Sequence, residues 1–257
     1  MNVKEMFDLS GKVALITGGG RGIGKAVAEA YGDSGAKIVI SGRRDEWLAP
    51  TLAEFKEKGY DCISVVADVS KPEDVENTVK LALEKYGQIN ILVNNAGQTW
   101  GQPTEELSLA KWQQLFDVNL TGIFMMSQQV GRHMIERKQG GRIINVASIA
   151  GLSAGDPEST KTIAYNTSKA GVIAFTRTLA KEWGRYNIHV NAIAPGWFPT
   201  RMASGVINAN KAKIEATTPL GRVGDLEELK GAAIFLASPA SSYVTGHTMV
   251  VDGGLVL

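Results

Sequence analysis

Short apolar runs alternate along the chain with longer stretches in which polar and apolar residues mix. Nearly every residue of each run is apolar, which is typical of parallel strands buried on both faces of a sheet. The predicted strands are 13–17, 38–41, 62–67, 91–94, 142–147, 189–193 and 249–251. The stretches between them are long enough for crossover helices, so the alternation predicts a doubly wound α/β fold with a parallel sheet.

Two of the predicted helices carry end signals. The stretch 22–34 stops at Gly35, a residue typical of helix C-termini. Another helix begins near Ser70, which can cap it, with Pro72 at an early helical position and Glu73 completing a capping box. The one long irregular region, 197–222, predicts an active-site lid, because connections of that length in compact domains are usually functional.

Composition excludes several function classes. The 257 residues hold 27 basic and 26 acidic side chains, and this balance gives no support for nucleic acid or an anionic membrane as a partner. Cys62 is the single cysteine, and the three histidines are far apart, so no metal site is expected. The N-terminus lacks the apolar segment of a signal peptide, and no apolar stretch reaches the ~20 residues of a membrane span. We therefore expect a cytoplasmic protein.

A glycine-rich turn, Thr17-Gly18-Gly19-Gly20-Arg21-Gly22-Ile23-Gly24, follows the first predicted strand and opens a helix. Such a turn binds phosphate, because the backbone comes close to the anion and the helix N-terminus supplies free N–H groups. The register does not match G-x-G-x-x-G. A nucleotide-triphosphate loop fails at Ala26, which has no hydroxyl for Mg²⁺. The pattern T-G-x-x-x-G-x-G fits, and an ordinary glycine turn is the alternative.

Tyr165 and Lys169 are spaced i, i+4 ahead of a helical pattern, which places them on one face of a helix. A phenol normally titrates near ~10, and a neighbouring ammonium or a nicotinamide cation lowers that pKa. Tyr165 can then exchange a proton with a carbonyl oxygen. A surface Tyr/Lys pair is the alternative interpretation.

Ser148 ends the fifth predicted strand, at the edge where open α/β sheets bind ligands. Its hydroxyl could donate a hydrogen bond to a substrate oxygen, or could cap a turn. A serine hydrolase is disfavoured, since no G-x-S-x-G elbow surrounds Ser148 and no histidine has an evident place as its base.

Together these motifs resemble the short-chain dehydrogenase/reductase family over nearly the whole chain. The matching positions are Thr17-Gly18-x-x-x-Gly22-Ile23-Gly24, Asp68-Val69, Asn94-Asn95-Ala96-Gly97, Asn119, Ser148, Tyr165-x-x-x-Lys169, Pro195-Gly196 and Thr200. The resemblance implies a single Rossmann-like domain over 1–257, a three-layer sandwich with a seven-stranded parallel sheet. It also implies a homotetramer.

The resemblance further implies roles for individual residues. The expected catalytic residues are Asn119, which would anchor a water in a proton relay, Ser148, which would orient the substrate, Tyr165 as the acid/base, and Lys169. The expected cofactor-binding residues are Gly18, Arg21, Gly22, Ile23, Gly24, Arg43, Asp68, Val69, Asn95, Ala96, Gly97, Tyr165, Lys169, Pro195, Gly196, Phe198 and Thr200. Asp68 and Val69 would contact adenine, and Lys169 would hold the nicotinamide ribose.

The second predicted strand indicates which dinucleotide binds. NAD sites carry an acid about 20 residues past the glycine loop, on the ribose 2′-hydroxyl. In the family alignment that place falls on Gly42, followed by Arg43, and Arg21 lies in the glycine loop. Guanidiniums make strong hydrogen bonds to a phosphate, so NADP(H) is expected. Arg43 and Arg44 as solvated loop residues is the alternative.

The substrate stays open at this point. The C-terminal third resembles gluconate 5-dehydrogenases and 3-oxoacyl-carrier-protein reductases, so a keto sugar acid, a 3-oxoacyl thioester or a cyclic ketone is expected. Tyr165 follows Ser148 by 17 positions, a few more than in most members, and the extra residues lie in 155–161. Candidate pocket residues are Trp100, Trp197, Phe198 and Met202. A dinucleotide-binding protein without turnover is the alternative function.

Overall fold

Seven parallel strands form one sheet in the computed structural model, which describes residues 2–156 and 160–257. The strands are β1 Val13–Thr17, β2 Lys37–Gly42, β3 Cys62–Val66, β4 Ile91–Asn94, β5 Gly141–Val146, β6 Ile188–Pro195 and β7 Thr248–Val251. Their order is β3-β2-β1-β4-β5-β6-β7, so the direction of winding reverses between β1 and β4. Every predicted strand is confirmed to within two residues at its ends.

Helices cover both faces of this sheet. The α-helices of the described part of the chain are α1 Val3–Met6, which is exposed, α2 Gly22–Asp33, α3 Asp45–Glu57, α4 Pro72–Tyr86, α5 Leu109–Phe116, α6 Gly122–Arg137, α7 Ile163–Trp183, α8 Ser204–Thr217 and α9 Glu228–Ala237. A π-helical turn, Asp117–Thr121, joins α5 to α6. None of the helices in the described part of the chain is long and apolar enough to cross a membrane.

Strand β1 shows why the strands are apolar at every position. Ala14 and Ile16 face one core, which they share with α2 and α9, whereas Val13 and Leu15 face a second core shared with α4 and α6. All four side chains are buried. Because helices cover both faces, the pattern is a continuous apolar run, and the expected three-layer sandwich is confirmed.

The predicted N-terminus of α4 is wrong in detail. Lys71 flanks the helix without a side-chain cap, and Pro72 is the first helical residue. The Ser70 hydroxyl donates to Oδ1 of Asp68 at 2.7 Å, so it does not cap the helix. The carboxylate of Asp74 accepts the N–H of Asp68 at 2.8 Å, and Glu73 forms no capping box. The side chains of Ser70 and Asp74 therefore stabilise the loop that precedes α4 and do not cap the first turn of the helix.

The region 197–222 is not irregular throughout, because α8 occupies Ser204–Thr217 with a kink at Asn210. The buried positions of this helix are Ile207 and Ile214, two turns apart. Because only these two positions of α8 are buried, the sequence shows little of the 3.6-residue apolar periodicity that predicts a helix.

Candidate active site

A cavity of about 1030 Å³ opens at the carboxyl edge of the sheet, where the winding reverses between β1 and β4. It extends from Gly22 in the glycine loop, past Asn95 after β4 and Ser148 after β5, to Ile214 in α8. The reversal point is the place where open α/β sheets bind ligands.

Thr17 and Asn95 bind the glycine loop to the end of β4. The Thr17 hydroxyl oxygen accepts the N–H groups of Asn95 and Ala96, both at 3.0 Å. In return, Nδ2 of Asn95 donates to the carbonyl oxygens of Thr17 and Gly18, at 2.9 and 3.1 Å. Gly18 has φ +67°, and a Cβ there would lie 2.8 Å from that Nδ2. The close approach therefore requires glycine.

The N-terminus of α2 points its first turn at the cavity. Gly22 and Ile23 line the cavity, and Arg21 at the cap position supplies no side-chain acceptor. The N–H groups of the first turn are therefore available to an anion. Gly24 lies behind the wall, where an added Cβ would meet the Gly18 carbonyl oxygen at 2.4 Å. Gly24 is therefore not in the cavity lining, and its position serves packing between helix and strand.

Four arginines line the same end of the cavity, beside the glycine loop. They are Arg21, Arg43, Arg44 and Arg201. Nη1 of Arg43 lies 4.0 Å from Oδ2 of Asp68, and Arg44 forms an ion pair with Glu46 at 3.1 Å. Burial lowers the pKa of Arg21, and the positive charges of the other three arginines lower it further. Such a concentration of guanidiniums is a site for a polyanion.

Tyr165 of α7 and Ser148 after β5 both line the cavity, and the serine side chain is near enough to the phenol to lower its pKa. The Ser148 oxygen also accepts the N–H of Ala150 at 3.1 Å, so the serine caps a short 3₁₀ turn as well. Burial raises the pKa of Tyr165 by more than the neighbouring Ser148 side chain lowers it. In this structure the pKa therefore lies above its ordinary value, not below it as the Tyr165/Lys169 pair predicts.

Lys169 lies one turn further along α7 and is almost completely buried. Its Nζ donates to the carbonyl oxygen of Val146 at 2.6 Å and lies 5.7 Å from the ring centroid of Tyr165. Burial lowers the pKa of Lys169 to about 8. A Cβ at Gly97 would lie 3.7 Å from the same Nζ, so the ammonium is held between β5 and the loop after β4.

Asn119 is fully buried in the π-helical turn and does not line the cavity. Its Oδ1 accepts the Gln98 N–H at 2.9 Å, and its Nδ2 donates to the Gln98 carbonyl at 2.9 Å and to Ser168 Oγ at 3.0 Å. The side chain therefore holds the loop after β4 against α7. Both polar groups of the side chain have protein partners, so the predicted part of Asn119 in a proton relay stays a prediction.

The comparison with known proteins agrees with this geometry. A family model described as enoyl-(acyl carrier protein) reductase matches residues 18–256. A 3-oxoacyl-[acyl-carrier-protein] reductase from Synechocystis sp. is 41% identical over 254 residues, which cover 98% of this chain and 100% of the relative. The chain belongs to the short-chain dehydrogenase/reductase family.

Solved structures of this family superpose on nearly the whole chain. A gluconate 5-dehydrogenase from Burkholderia cenocepacia, in complex with NADP and tartrate, matches with a TM-score of 0.93 and 38% identity, over 99% of this chain and 98% of that one. An NADPH-dependent 3-quinuclidinone reductase from Rhodotorula rubra matches with a TM-score of 0.91 and 33% identity, over 99% and 95%. The resemblance stated from the motifs is therefore confirmed.

Most of the predicted site residues of this short-chain dehydrogenase/reductase come together around one cavity. Its lining includes Gly18, Arg21, Gly22, Ile23, Arg43, Asp68, Val69, Asn95, Ala96, Gly97, Ser148, Tyr165, Lys169, Pro195, Gly196, Phe198 and Thr200. The sequence reasoning missed Trp47 and Arg201 beside the glycine loop. Arg201 follows the motif residue Thr200 and could have been noticed as a cation there, whereas Trp47 carried no signal.

The far end of the cavity has apolar walls from Trp197, Met202, Val206 and Ile214. Trp100 is not part of that lining, since its indole N–H donates to Gln102 at 3.1 Å and its ring packs under Lys111. Its predicted place in the pocket is therefore wrong.

An ion pair crosses the rim of the cavity where the extra residues lie. Nζ of Lys213 in α8 contacts Oδ2 of Asp156 at 2.5 Å. Asp156 belongs to the longer segment between Ser148 and Tyr165, of which 157–159 lie outside the described residues. The insertion thus reaches the helix of the predicted lid.

Proposed function

We propose that the protein is an NADP(H)-dependent oxidoreductase that transfers a hydride between the nicotinamide and a ketone or secondary alcohol. One observation carries the proposal. The hydroxyl pair of Ser148 and Tyr165, with Lys169 behind it, opens into the same cavity as the glycine loop and the arginine cluster. A proton donor and a dinucleotide-sized groove in one cavity are what carbonyl reduction requires.

The groove suits a dinucleotide phosphate. Gly22 has no side chain, and an added Cβ would lie 3.4 Å from the methyl group of Thr200, so glycine keeps this part of the loop open to a pyrophosphate. The helix N-terminus of α2 would bind that pyrophosphate. Arg21 and Arg43 would bind the 2′-phosphate, and Asp68 and Val69 would contact the adenine. NADP in the Burkholderia relative supports the assignment.

The side chains of the site would handle the proton. When bound, NADPH supplies the hydride. Tyr165 donates its phenolic proton to the carbonyl oxygen, and Ser148 donates a second hydrogen bond that fixes this oxygen. Because burial raises the pKa of Tyr165, the phenol keeps its proton at neutral pH and is ready for reduction. Lys169 would hold the nicotinamide ribose, and its charge would favour the phenolate in the reverse reaction.

Three substrate classes remain in the proposal: a keto sugar acid, a 3-oxoacyl thioester and a cyclic ketone. Relatives named for each are similar to this chain. The apolar walls from Trp197 and Met202 favour a substrate with an apolar part, and the polar side chains of Asn166 and Lys213 also line the cavity.

A panel of carbonyl compounds from the three classes tests the function. NADPH absorbance is followed for each compound with the wild-type protein and with Tyr165→Phe as the matched inactive variant. We expect turnover of at least one class, absent in the variant. NADPH binding without turnover of any carbonyl would instead identify a dinucleotide-binding protein and contradict the proposal.

We also propose a homotetramer in the cytoplasm. Strand β7 is an edge of the sheet, and large apolar side chains in or near it along the chain, Tyr243, Val250 and Leu257, are exposed. Such residues support burial against other copies. The single thiol, Cys62, is buried and suits a reducing compartment. Light scattering would test the assembly, and a monomeric mass would contradict it.

A further inference from the structure

The indole of Trp47 is surrounded by three guanidiniums at the adenosine end of the cavity. The guanidinium carbon of Arg21 lies 3.3 Å from the ring centroid, that of Arg44 lies 4.6 Å away, and that of Arg201 lies 5.3 Å away. All four side chains line the cavity. Trp47 therefore brings together cations that the charge on each would otherwise keep apart.

These residues come from three separate elements. Trp47 belongs to the first turn of α3, Arg21 to the glycine loop, and Arg201 to the turn just before α8. Packing fixes the first two, since Thr51 of α3 donates to the Gly20 carbonyl at 2.8 Å and a Cβ at Gly20 would lie 3.0 Å from the Trp47 carbonyl oxygen. Arg201 is thus the partner that reaches this point from the region covering the substrate end.

Two of the guanidiniums have N–H groups that no carboxylate of the described residues engages. Among the residues that the structure describes, neither Arg21 nor Arg201 forms an ion pair with a carboxylate, whereas Arg44 is paired with Glu46. A guanidinium stacked on a ring uses its flat face and keeps its N–H edge free for an anion. Two such edges beside one indole match a phosphate with several charged oxygens.

We propose that Arg201, positioned by Trp47, binds the 2′-phosphate of NADP together with Arg21. The inference rests on the proposed function, which places the adenosine of the dinucleotide at this end of the cavity. The phosphate then connects the glycine loop to the residue that precedes α8. Occupancy of the 2′-phosphate site would therefore order the segment that covers the substrate, and Arg201 would contribute to specificity for NADP over NAD alongside Arg21 and Arg43.

Binding of adenosine 2′,5′-bisphosphate and adenosine 5′-monophosphate separates this role from catalysis, because neither probe carries nicotinamide. Calorimetry at fixed ionic strength compares wild type, Arg201→Gln and Arg185→Gln. Arg185 is the matched control, an arginine 4.8 Å from the ring centroid of Tyr186 and outside the cavity lining. Arg201→Gln should weaken the bisphosphate by about tenfold or more and leave the monophosphate unchanged, since charge-assisted hydrogen bonds are lost.

The contrary results are distinct from one another. Equal weakening of both probes would place Arg201 on another phosphate, and unchanged binding of both would remove it from the site. Either result overturns the inference while leaving carbonyl reduction intact. If wild-type protein bound both probes equally, the inference and the proposed cofactor preference would both fail, yet turnover with NADH could still support an oxidoreductase.

Two further measurements test whether Trp47 positions the guanidiniums and whether the 2′-phosphate connects the glycine loop to α8. Trp47→Leu should weaken the bisphosphate selectively, and Trp47→Phe should restore most of its binding, because a ring again supports the guanidiniums. In hydrogen exchange, the bisphosphate should protect Ser204–Thr217 in wild type but not in Arg201→Gln. Equal protection of this helix in both proteins would contradict the proposed connection between the glycine loop and α8. A failure of Trp47→Phe to restore binding would contradict the positioning role of Trp47.

Discussion

The ammonium of Lys169 donates a hydrogen bond to the backbone carbonyl of Val146 at 2.6 Å, inside the wall between α7 and β5. The lysine is almost completely buried, and burial lowers its pKa to about 8. A charge in this position is costly to the folded protein, so its presence indicates a functional rather than a stabilising role.

Replacing this lysine should stabilise the protein while it abolishes turnover. Below pH 8 the folded protein carries a buried ammonium, so Lys169→Met should raise the free energy of unfolding at pH 7 by on the order of 1–3 kcal/mol. As the pH rises from about 8 towards the ordinary value of 10.5, the folded ammonium loses its proton before the unfolded one, and the gain should shrink. Chemical denaturation across this range measures it.

A matched control for that experiment is Lys181→Met, at the exposed end of the same helix. It should change stability little at any pH. If Lys169→Met gave no gain at pH 7, or a gain that grew with pH, the buried charge would not be the cost that we assign to it.

Tyr165→Phe should remove most turnover without affecting the fold. A positioned acid/base contributes ~10²–10⁴-fold, and the phenylalanine lacks only the hydroxyl that shares the cavity with Ser148. NADPH affinity and the melting temperature should stay close to those of wild type. Tyr186→Phe, at a tyrosine outside the cavity lining, is the control. A near wild-type kcat on a good substrate would show that the phenol is not the acid.

Cofactor preference should depend on Arg21 in the glycine loop and on Arg43, which follows β2. Arg43→Ala should lower the ratio of kcat/KM for NADPH to that for NADH by about tenfold or more, because it removes charge-assisted hydrogen bonds to the 2′-phosphate. Arg21→Ala should lower it less. Steady-state kinetics with both cofactors measures the ratio. Equal values in the wild type, or a preference for NADH, would contradict the NADP assignment.

Asn119 should act by positioning the loop after β4. Asn119→Ala removes three hydrogen bonds and leaves the partly buried backbone groups of Gln98 without these partners, so we expect a loss of about 1–3 kcal/mol in the free energy of unfolding. We also expect kcat to fall while the alkaline limb of the pH profile, which reports Tyr165, stays in place. An unchanged kcat would show that this loop does not affect turnover.

Local features of the sequence determined much of the architecture. The strands were predictable because residues buried on both faces form continuous apolar runs, as β1 does with Val13–Thr17. The glycine loop and the Tyr165/Lys169 pair were predictable because each depends on residues a few positions apart. Such signals follow from backbone geometry within one element, so they require no knowledge of distant contacts.

Only the tertiary structure decided the properties that depend on burial or on contacts between distant elements. Burial among distant elements raises the pKa of Tyr165, and its neighbours in sequence do not indicate that burial. Asn119 binds Gln98 through the packing of a π-helical turn, and Arg201 reaches Trp47 only because α3 and the turn before α8 meet beside the glycine loop. These interactions join residues that are far apart in the chain, so they form only when the chain folds, and no local sequence pattern predicts them.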